Sequence, residues 1–279
     1  MQRLTALLAI TLTLILGSSA TLADEKTDKR FEDSRLVFET FTGISEQAIP
    51  GWLLQRAYGI VVAPNVFEMA VVGGGRGGRG VLSVRNPDGT WSNPVLLSLA
   101  GGSFGFQFGM QMTDVVLVLM SRQSVEGISG GKVMLGADAS VAAGPVGRTA
   151  SANTDATFKA QVLSYSRSEG VFAGIAFEGT VLSVDDDANA SAYGVAGILP
   201  SQILDGKAGT PPPAAIAFTA ALTRATNQAA AAAQAATPAP APAPAAAPAA
   251  TPAPAAPKAG SPAQTYPMED PQPGAPPPP

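Results

Sequence analysis

The sequence predicts an α+β, mainly β domain, built on a strongly curled antiparallel sheet or partly closed barrel and capped by N- and C-terminal helices. Three observations predict it. Phe104, Phe106, Phe108, Met110 and Met112 alternate with Gly105, Gln107, Gly109 and Gln111, the two-residue period of a strand. Compact turn sequences, Asn86 to Gly89 (NPDG) and Ser168 to Gly170 (SEG), separate neighbouring strand-like runs and make those neighbours antiparallel. Glycine also recurs on one parity of these runs, which favours strong coiling or closure over a flat sheet.

Along the chain, residues 1–23 read as a secretory signal peptide: Arg3, an apolar stretch Leu4 to Leu16, then small residues before Asp24. Thirteen helical residues span only ~20 Å, short of the ~30 Å hydrocarbon core, so cleavage after Ala20 or Ala23 is expected over membrane anchoring. Residues 24–48 form an N-terminal helical segment. Within it Lys26 to Phe41 places Phe31, Ser34, Phe38 and Phe41 three and four apart, a stripe that packs on the domain. Pro50 starts a short apolar helix, Gly51 to Ala57. From Ile60 the pattern turns to strands, including Gly80 to Arg85, Thr157 to Arg167 and Val171 to Val184. Leu135 to Ala143 alternates small residues on both parities and reads as a strand open to close approach. Asp185 to Tyr193 is a loop running into a helix, with acids at its favoured end. Residues 203–236 are Ala-rich and helix-prone after Pro211, and residues 237–279 hold sixteen prolines among alanines, an extended tail.

Composition narrows the chemistry. The 279 residues contain no Cys and no His. A disulfide framework, a lipoprotein anchor and a Ser-His-Asp hydrolase are thereby excluded, and the commonest zinc ligands are missing. The net charge of −4, or −5 once Arg3 leaves with the leader, does not suggest nucleic acid. Asp24 to Pro50 holds seven acids against four bases, whereas Gly51 to Val184 holds nine bases against eight acids. Any basic patch must therefore be made by folding.

Four motifs need weighing. Gly73, Gly75 and Gly78 satisfy GxGxxG, but the alternating Gly80 to Arg85 follows where a dinucleotide site needs a helix. Gly101, Ser103 and Gly105 match a nucleophile elbow, again without the helix after Ser. Ser129 and Lys132 form SxxK, with Ser151, Asn153 and Lys207 in penicillin-binding order, yet Gly130 and Gly131 oppose the helix that would place both on one face. Asp185, Asp186, Asp187 and Asn189 lack the alternate spacing of a calcium loop and read as a solvated helix start. No cofactor, metal or catalytic residue is expected.

The run Gly131 to Arg148 (GKVMLGADASVAAGPVGR) closely resembles the most characteristic stretch of the SYLF domain. The resemblance continues in GGGRGGRGVL (Gly73 to Leu82), WSNP (Trp91 to Pro94), Leu99 to Leu119, SYSRSEGVFAG (Ser164 to Gly174) and EGTVLSVDDDA (Glu178 to Ala188). These segments lie in family order across residues 49–202, taken as the domain, and several long motifs together are far more specific than one short pattern. The resemblance implies a non-enzymatic, lipid-binding module, described as actin-associated in fungal relatives. On it, Arg76, Arg79, Arg85, Lys132, Arg148 and Arg167, which stand at glycine-rich turns or strand ends, become the candidate headgroup-binding group. The expected partner is an anionic phospholipid surface in the periplasm, reached after export. The alternative is a periplasmic scaffold that binds an envelope protein or peptidoglycan, with the Pro/Ala tail as spacer. A small outer-membrane barrel is disfavoured, because such barrels usually close on a strand with a terminal aromatic, whereas the last residues here are a Pro-rich coil.

Overall fold

A computed structural model describes residues 25–43, 49–70, 74–103, 109–145, 159–168, 171–173 and 177–236. Its helices are α1 (25–43), α2 (Gly51–Arg56), α3 (Arg122–Ser129), α4 (Asp186–Tyr193), α5 (Pro200–Leu204) and α6 (Pro213–Ala236). The strands are β1 (Gly59–Ala70), β2 (Gly74–Val84), β3 (Val95–Ser103), β4 (Gly109–Leu119), β5 (Lys132–Met134), β6 (Val141–Ala143), β7 (Val162–Ser168), β8 (Val171–Ala173) and β9 (Thr180–Val184). They form one sheet in the order β5-β9-β3-β2-β1-β4-β7-β6, with β8 also on β7. The pairing is antiparallel except for β6, which runs parallel to β7, so the sheet is mixed.

Period-two burial gives each face its own core. One face gathers Val133 and Leu182 from one flank and Leu117, Leu119 and Val162 from the other into a single cluster with Val61, Leu82 and Leu97, closed by Val125 and Ile128 of α3, Tyr193 of α4 and Ile203 of α5. Strands several positions apart can share one cluster only if the sheet curls around it, which makes this the inner face of a half-barrel. The outer face covers its centre with helices. Ile60, Val62, Val81, Leu96, Val116 and Val118 pack under Phe31, Phe38 and Phe41 of α1, Leu53 of α2 and Phe218 and Leu222 of α6. Each of these phenylalanines is essentially fully buried, worth about 1.5–3 kcal/mol. The helical stripe expected from the sequence is therefore the one used.

A bulge sets the geometry of the central strand. Val62 pairs with Val81 and Phe67 with Gly77, while Ala63 pairs with Val115 and Val66 with Thr113. Against both neighbours β1 has one residue too many, at Pro64 and Asn65. Proline has no N–H for a ladder, and Asn65 sits at φ 49° with its N–H donated to Asp114 Oδ1 at 3.0 Å. The extra residue reverses parity, so odd residues face the inner core before the bulge and the outer side after it. Glycines of β2 admit the displaced strand. A Cβ on Gly78 would stand 3.0 Å from Val66 Cγ2, and one on Gly80 2.9 Å from the Val62 carbonyl oxygen.

Where β3 outruns β9, Asn189 of α4 stands in for a strand. Its Oδ1 accepts the Leu96 N–H and its Nδ2 donates to the Leu96 carbonyl, both at 2.9 Å. Asp185 caps α4 by accepting the Ala188 N–H, as its acidic start predicts.

Two sequence expectations are corrected. Leu135 to Ala143 is not one strand: Gly136 takes φ 91°, the Asp138 carboxylate accepts the Met134 N–H at 2.8 Å, and the chain turns between β5 and β6. Val171 to Val184 is likewise split into β8 and β9, with Gly179 at φ 72° in the turn before Thr180. Of Thr157 to Arg167 the described strand begins at Val162, and Phe104, Phe106 and Phe108 lie outside the described residues.

Gly144, within the signature run, is a packing residue. Gly144 donates its N–H to the Ser164 carbonyl, Tyr165 donates its hydroxyl to the Pro145 carbonyl, and a Cβ on Gly144 would overlap the Tyr165 ring. Gly144→Ala is expected to lower unfolding free energy by about 2–3 kcal/mol in a urea titration, as overpacking does. Gly75→Ala, in the same sheet but with open space around it, should stay within about 0.5 kcal/mol of the parent.

Candidate basic site on the outer face

Direct cross-strand partners point to the same face, so register locates cations on the sheet. Arg79 of β2 pairs with Ser98 of β3, Ser98 with Ser183 of β9, and Ser183 with Lys132 of β5. The Ser98 and Ser183 hydroxyls, 3.1 Å apart, share a hydrogen bond, which confirms the common face. On the other side of Arg79 the row continues through the bulge residue Asn65 to Asp114 of β4 and, opposite it, Arg167 of β7. Lys132, Arg79 and Arg167 thus stand in one line on the outer face, with ~15 Å between successive members at three strands each.

The N-terminal part of α1 meets this line at Arg79. Because Phe31, Ser34, Phe38 and Phe41 take the buried stripe, Lys26, Lys29, Arg30 and Asp33 turn to a cleft that they share with Pro64, Asn65, Gly78 and Arg79. The cleft holds about 450 Å³. Lys29 is paired with Asp33 at 2.7 Å and Arg30 with Asp185 at 2.9 Å. Among the described residues Lys26 and Arg79 make no ion pair. Burial lowers the Arg30 guanidinium from its ordinary value, the Asp185 hydrogen bond and charge oppose that, and the charge of Arg79 lowers it further. Four cations therefore meet two carboxylates, Asp33 and Asp185, in this recess, an excess of positive charge suited to phosphate or carboxylate.

The other three predicted residues have different places. Arg76 points to the inner face, its side chain only 8% exposed. It pairs with Glu68 at 3.1 Å, donates to Thr180 Oγ1 and lies 4.3 Å over the Phe177 ring, tying β1, β2 and β9 together. Arg85, nine residues on from Arg76 and just past the end of β2, sits under α2. It donates to the Leu54 and Ala57 carbonyls at the end of that helix and stacks on Trp91 at 4.6 Å. Arg148 lies outside the described residues.

Sequence reasoning missed Lys26, Lys29 and Arg30. It summed the charge of the segment and found it acidic. The usable signal was angular: with the phenylalanine stripe as reference, these three cations share one flank of the helix.

The remaining motifs resolve into structure. Gly75 and Gly78 lie within β2, which runs on as a strand to Val84. Ser129 is the last residue of α3 and Lys132 the first of β5, with Gly131 at φ 120° between them, so the SxxK pair shares no helical face. Asp185 and Asn189 are occupied by the cap, the Arg30 pair and the Leu96 bridge. None of the described helices is long and apolar enough to cross a membrane.

Fold and site together define a curled-sheet domain with helices on both faces and a basic recess where the first helix meets the central strands. Residues 100–225 match the Ysc84 domain, the SYLF type that the motifs of the chain resemble. That family is described as "Las17-binding protein actin regulator". Protein YSC84 of Saccharomyces cerevisiae is 37% identical over 173 residues, 61% of this chain and 36% of that protein. LAS seventeen-binding protein 3 of the same yeast is 36% identical over 186 residues, 66% and 40% of the two chains. The human SH3 domain-containing YSC84-like protein 1 is 34% identical over 149 residues, 53% and 43%. This chain thus spans roughly two fifths of the length of these relatives. The cations of the cleft all precede residue 100 and lie outside the stretch that the family matches.

Arg85 is a structural arginine and Arg79 an exposed one, and stability measurements should separate them. Arg85→Ala removes two hydrogen bonds to carbonyls and a stacked ring, and is expected to cost about 2–4 kcal/mol in chemical denaturation. Arg79→Ala should change it by less than about 0.5 kcal/mol, as an exposed surface residue does.

Proposed function

We propose that this protein is a non-enzymatic binding domain for anionic phospholipid headgroups, acting at the periplasmic side of a bacterial envelope after export through its leader. The observation that carries the reading is the cleft of Lys26, Lys29, Arg30 and Arg79, where four cations meet only the carboxylates of Asp33 and Asp185, and Lys26 and Arg79 make no ion pair among the described residues, in a chain of net charge −4. A soluble domain with no need for an anion gains little from gathering like charges, because each raises the cost of the next. Lys132 and Arg167 extend the same face by ~15 Å on either side, a spacing suited to a surface of many headgroups more than to one small anion. Guanidinium groups add forked hydrogen bonding to phosphate oxygens.

The names of the yeast relatives refer to a protein ligand, Las17, and the family description to actin regulation. For this chain the favoured partner is the lipid surface, because the basic recess is built by α1, β1 and β2, outside the family-matched stretch.

A cation near an anionic leaflet contributes about 1 kcal/mol. The Lys26→Ala, Arg79→Ala double variant should therefore lose about 10- to 30-fold in partitioning onto vesicles rich in phosphatidylglycerol, measured by flotation at 0.1 M salt. Binding of the parent should weaken as salt rises and vanish on pure phosphatidylcholine vesicles. Equal flotation of parent and double variant would refute the assignment of the cleft.

A further inference from the structure

Next to the cationic line, one residue pair further from the helices, runs a second register row of different character. Met134 of β5 pairs with Val181 of β9, Val181 with Ala100 of β3, Ala100 with Gly77 of β2, Gly77 with Phe67 of β1, and Phe67 with Met112 of β4. Six strands in succession thus present a wholly apolar row on the outer face. It is ~24 Å wide and stands ~7 Å from the row of Lys132, Arg79 and Arg167. It is not covered: Met134 is 40% and Met112 55% exposed, and Met69, on the same face of β1 beyond Phe67, is 47% exposed.

The order of side-chain sizes matters. This face is the outside of the curl, so a flat partner would touch its middle and miss its ends. The middle carries Gly77 and Ala100, and the ends carry Met112 and Met134, long and flexible side chains that reach back to the plane of contact. The bulge at Pro64 and Asn65 is what puts Phe67 and Met69 here, since without the parity reversal both would face inward and Glu68 would take their side.

We propose that this row is an insertion surface for an anionic lipid bilayer, entering the interfacial region while the neighbouring cationic row stays at headgroup level. Charge selects the occupant: a partner that offers negative groups along one line and hydrocarbon ~7 Å below it has the layering of a bilayer interface. The inference rests on the proposed headgroup binding and adds an apolar, salt-resistant component to it. The domain then docks edge-on through the open part of its outer face, with α1 supplying charge and the strands supplying depth.

The chain contains no cysteine, so a single label can be placed without background. Met112→Cys and Met134→Cys, each carrying an environment-sensitive nitrobenzoxadiazole dye, are compared with Ser201→Cys on α5, which packs against the inner face through Ile203. Vesicles of phosphatidylglycerol and phosphatidylcholine should raise emission several-fold and shift it to the blue at 112 and 134 and leave 201 unchanged. Met112→Asp with Met134→Asp should cut vesicle binding at high salt at least tenfold, with circular dichroism unchanged. Flotation without any dye response at 112 and 134 overturns the insertion surface and leaves headgroup binding intact. Absence of flotation at every salt concentration overturns both. A blue shift that grows with protein concentration in the absence of vesicles assigns the row to a second copy of the chain and overturns the proposal as well.

Discussion

The close approach of β1 to β2 around one extra residue is the constraint on which the rest of the architecture depends. At Pro64 and Asn65 the central strand steps out of register with both neighbours, and Gly78 and Gly80 leave the space into which its backbone moves. Bulges increase local twist, and here the twist falls in the middle of the sheet, where it helps bring the two flanks round to a common inner core. The same step reverses the parity of β1, so that a single strand contributes Val61 and Ala63 to the inner core and Phe67 and Met69 to the outer face. The glycine-rich stretch that superficially matches a nucleotide fingerprint is therefore the negative image of a bulge.

Arginine is used here in two unlike ways. Arg76 and Arg85 are structural: each is shielded, each stacks on an aromatic ring, and each satisfies groups that would otherwise be stranded, Glu68 and Thr180 for one, helix-end carbonyls for the other. Burial lowers the Arg85 guanidinium from its ordinary value, which is what desolvation without a carboxylate partner does. Arg79 lies three residues from Arg76 on the same strand, yet on the opposite face and exposed. One odd step along a strand separates a clasp from a candidate ligand, and no count of charges can express that difference.

The helices behave similarly. α1 spends its apolar stripe on the outer core, and this commitment fixes which of its charges meet the sheet. An amphipathic helix free to enter a bilayer would need that stripe for lipid; here Phe31, Phe38 and Phe41 are buried under the fold. The apolar area available to a partner lies on the strands, and the helix contributes charge beside it.

Much of the fold was legible along the chain because its signals are local. The stripe of Phe31, Ser34, Phe38 and Phe41, the turn at Asn86 to Gly89, the acidic start at Asp185 and the helix after Pro211 each depend on residues within a few positions of one another, and each is where the sequence places it. The run from Leu135 to Ala143 misled because alternating small residues suit a strand, while the decisive features, Gly136 at positive φ and the Asp138 carboxylate on the Met134 N–H, depend on conformation. The candidate site was less legible still. Sequence alone determined helices α1, α2, α4 and α6, the mainly β character, the lack of cysteine and histidine and the roster of cations. Which cations meet, that Lys26, Lys29 and Arg30 join Arg79 while Arg76 turns to the inner face and Arg85 is held under α2, was decided only by tertiary structure, because strand parity and the helices laid on the sheet sort side chains that look equivalent along the chain.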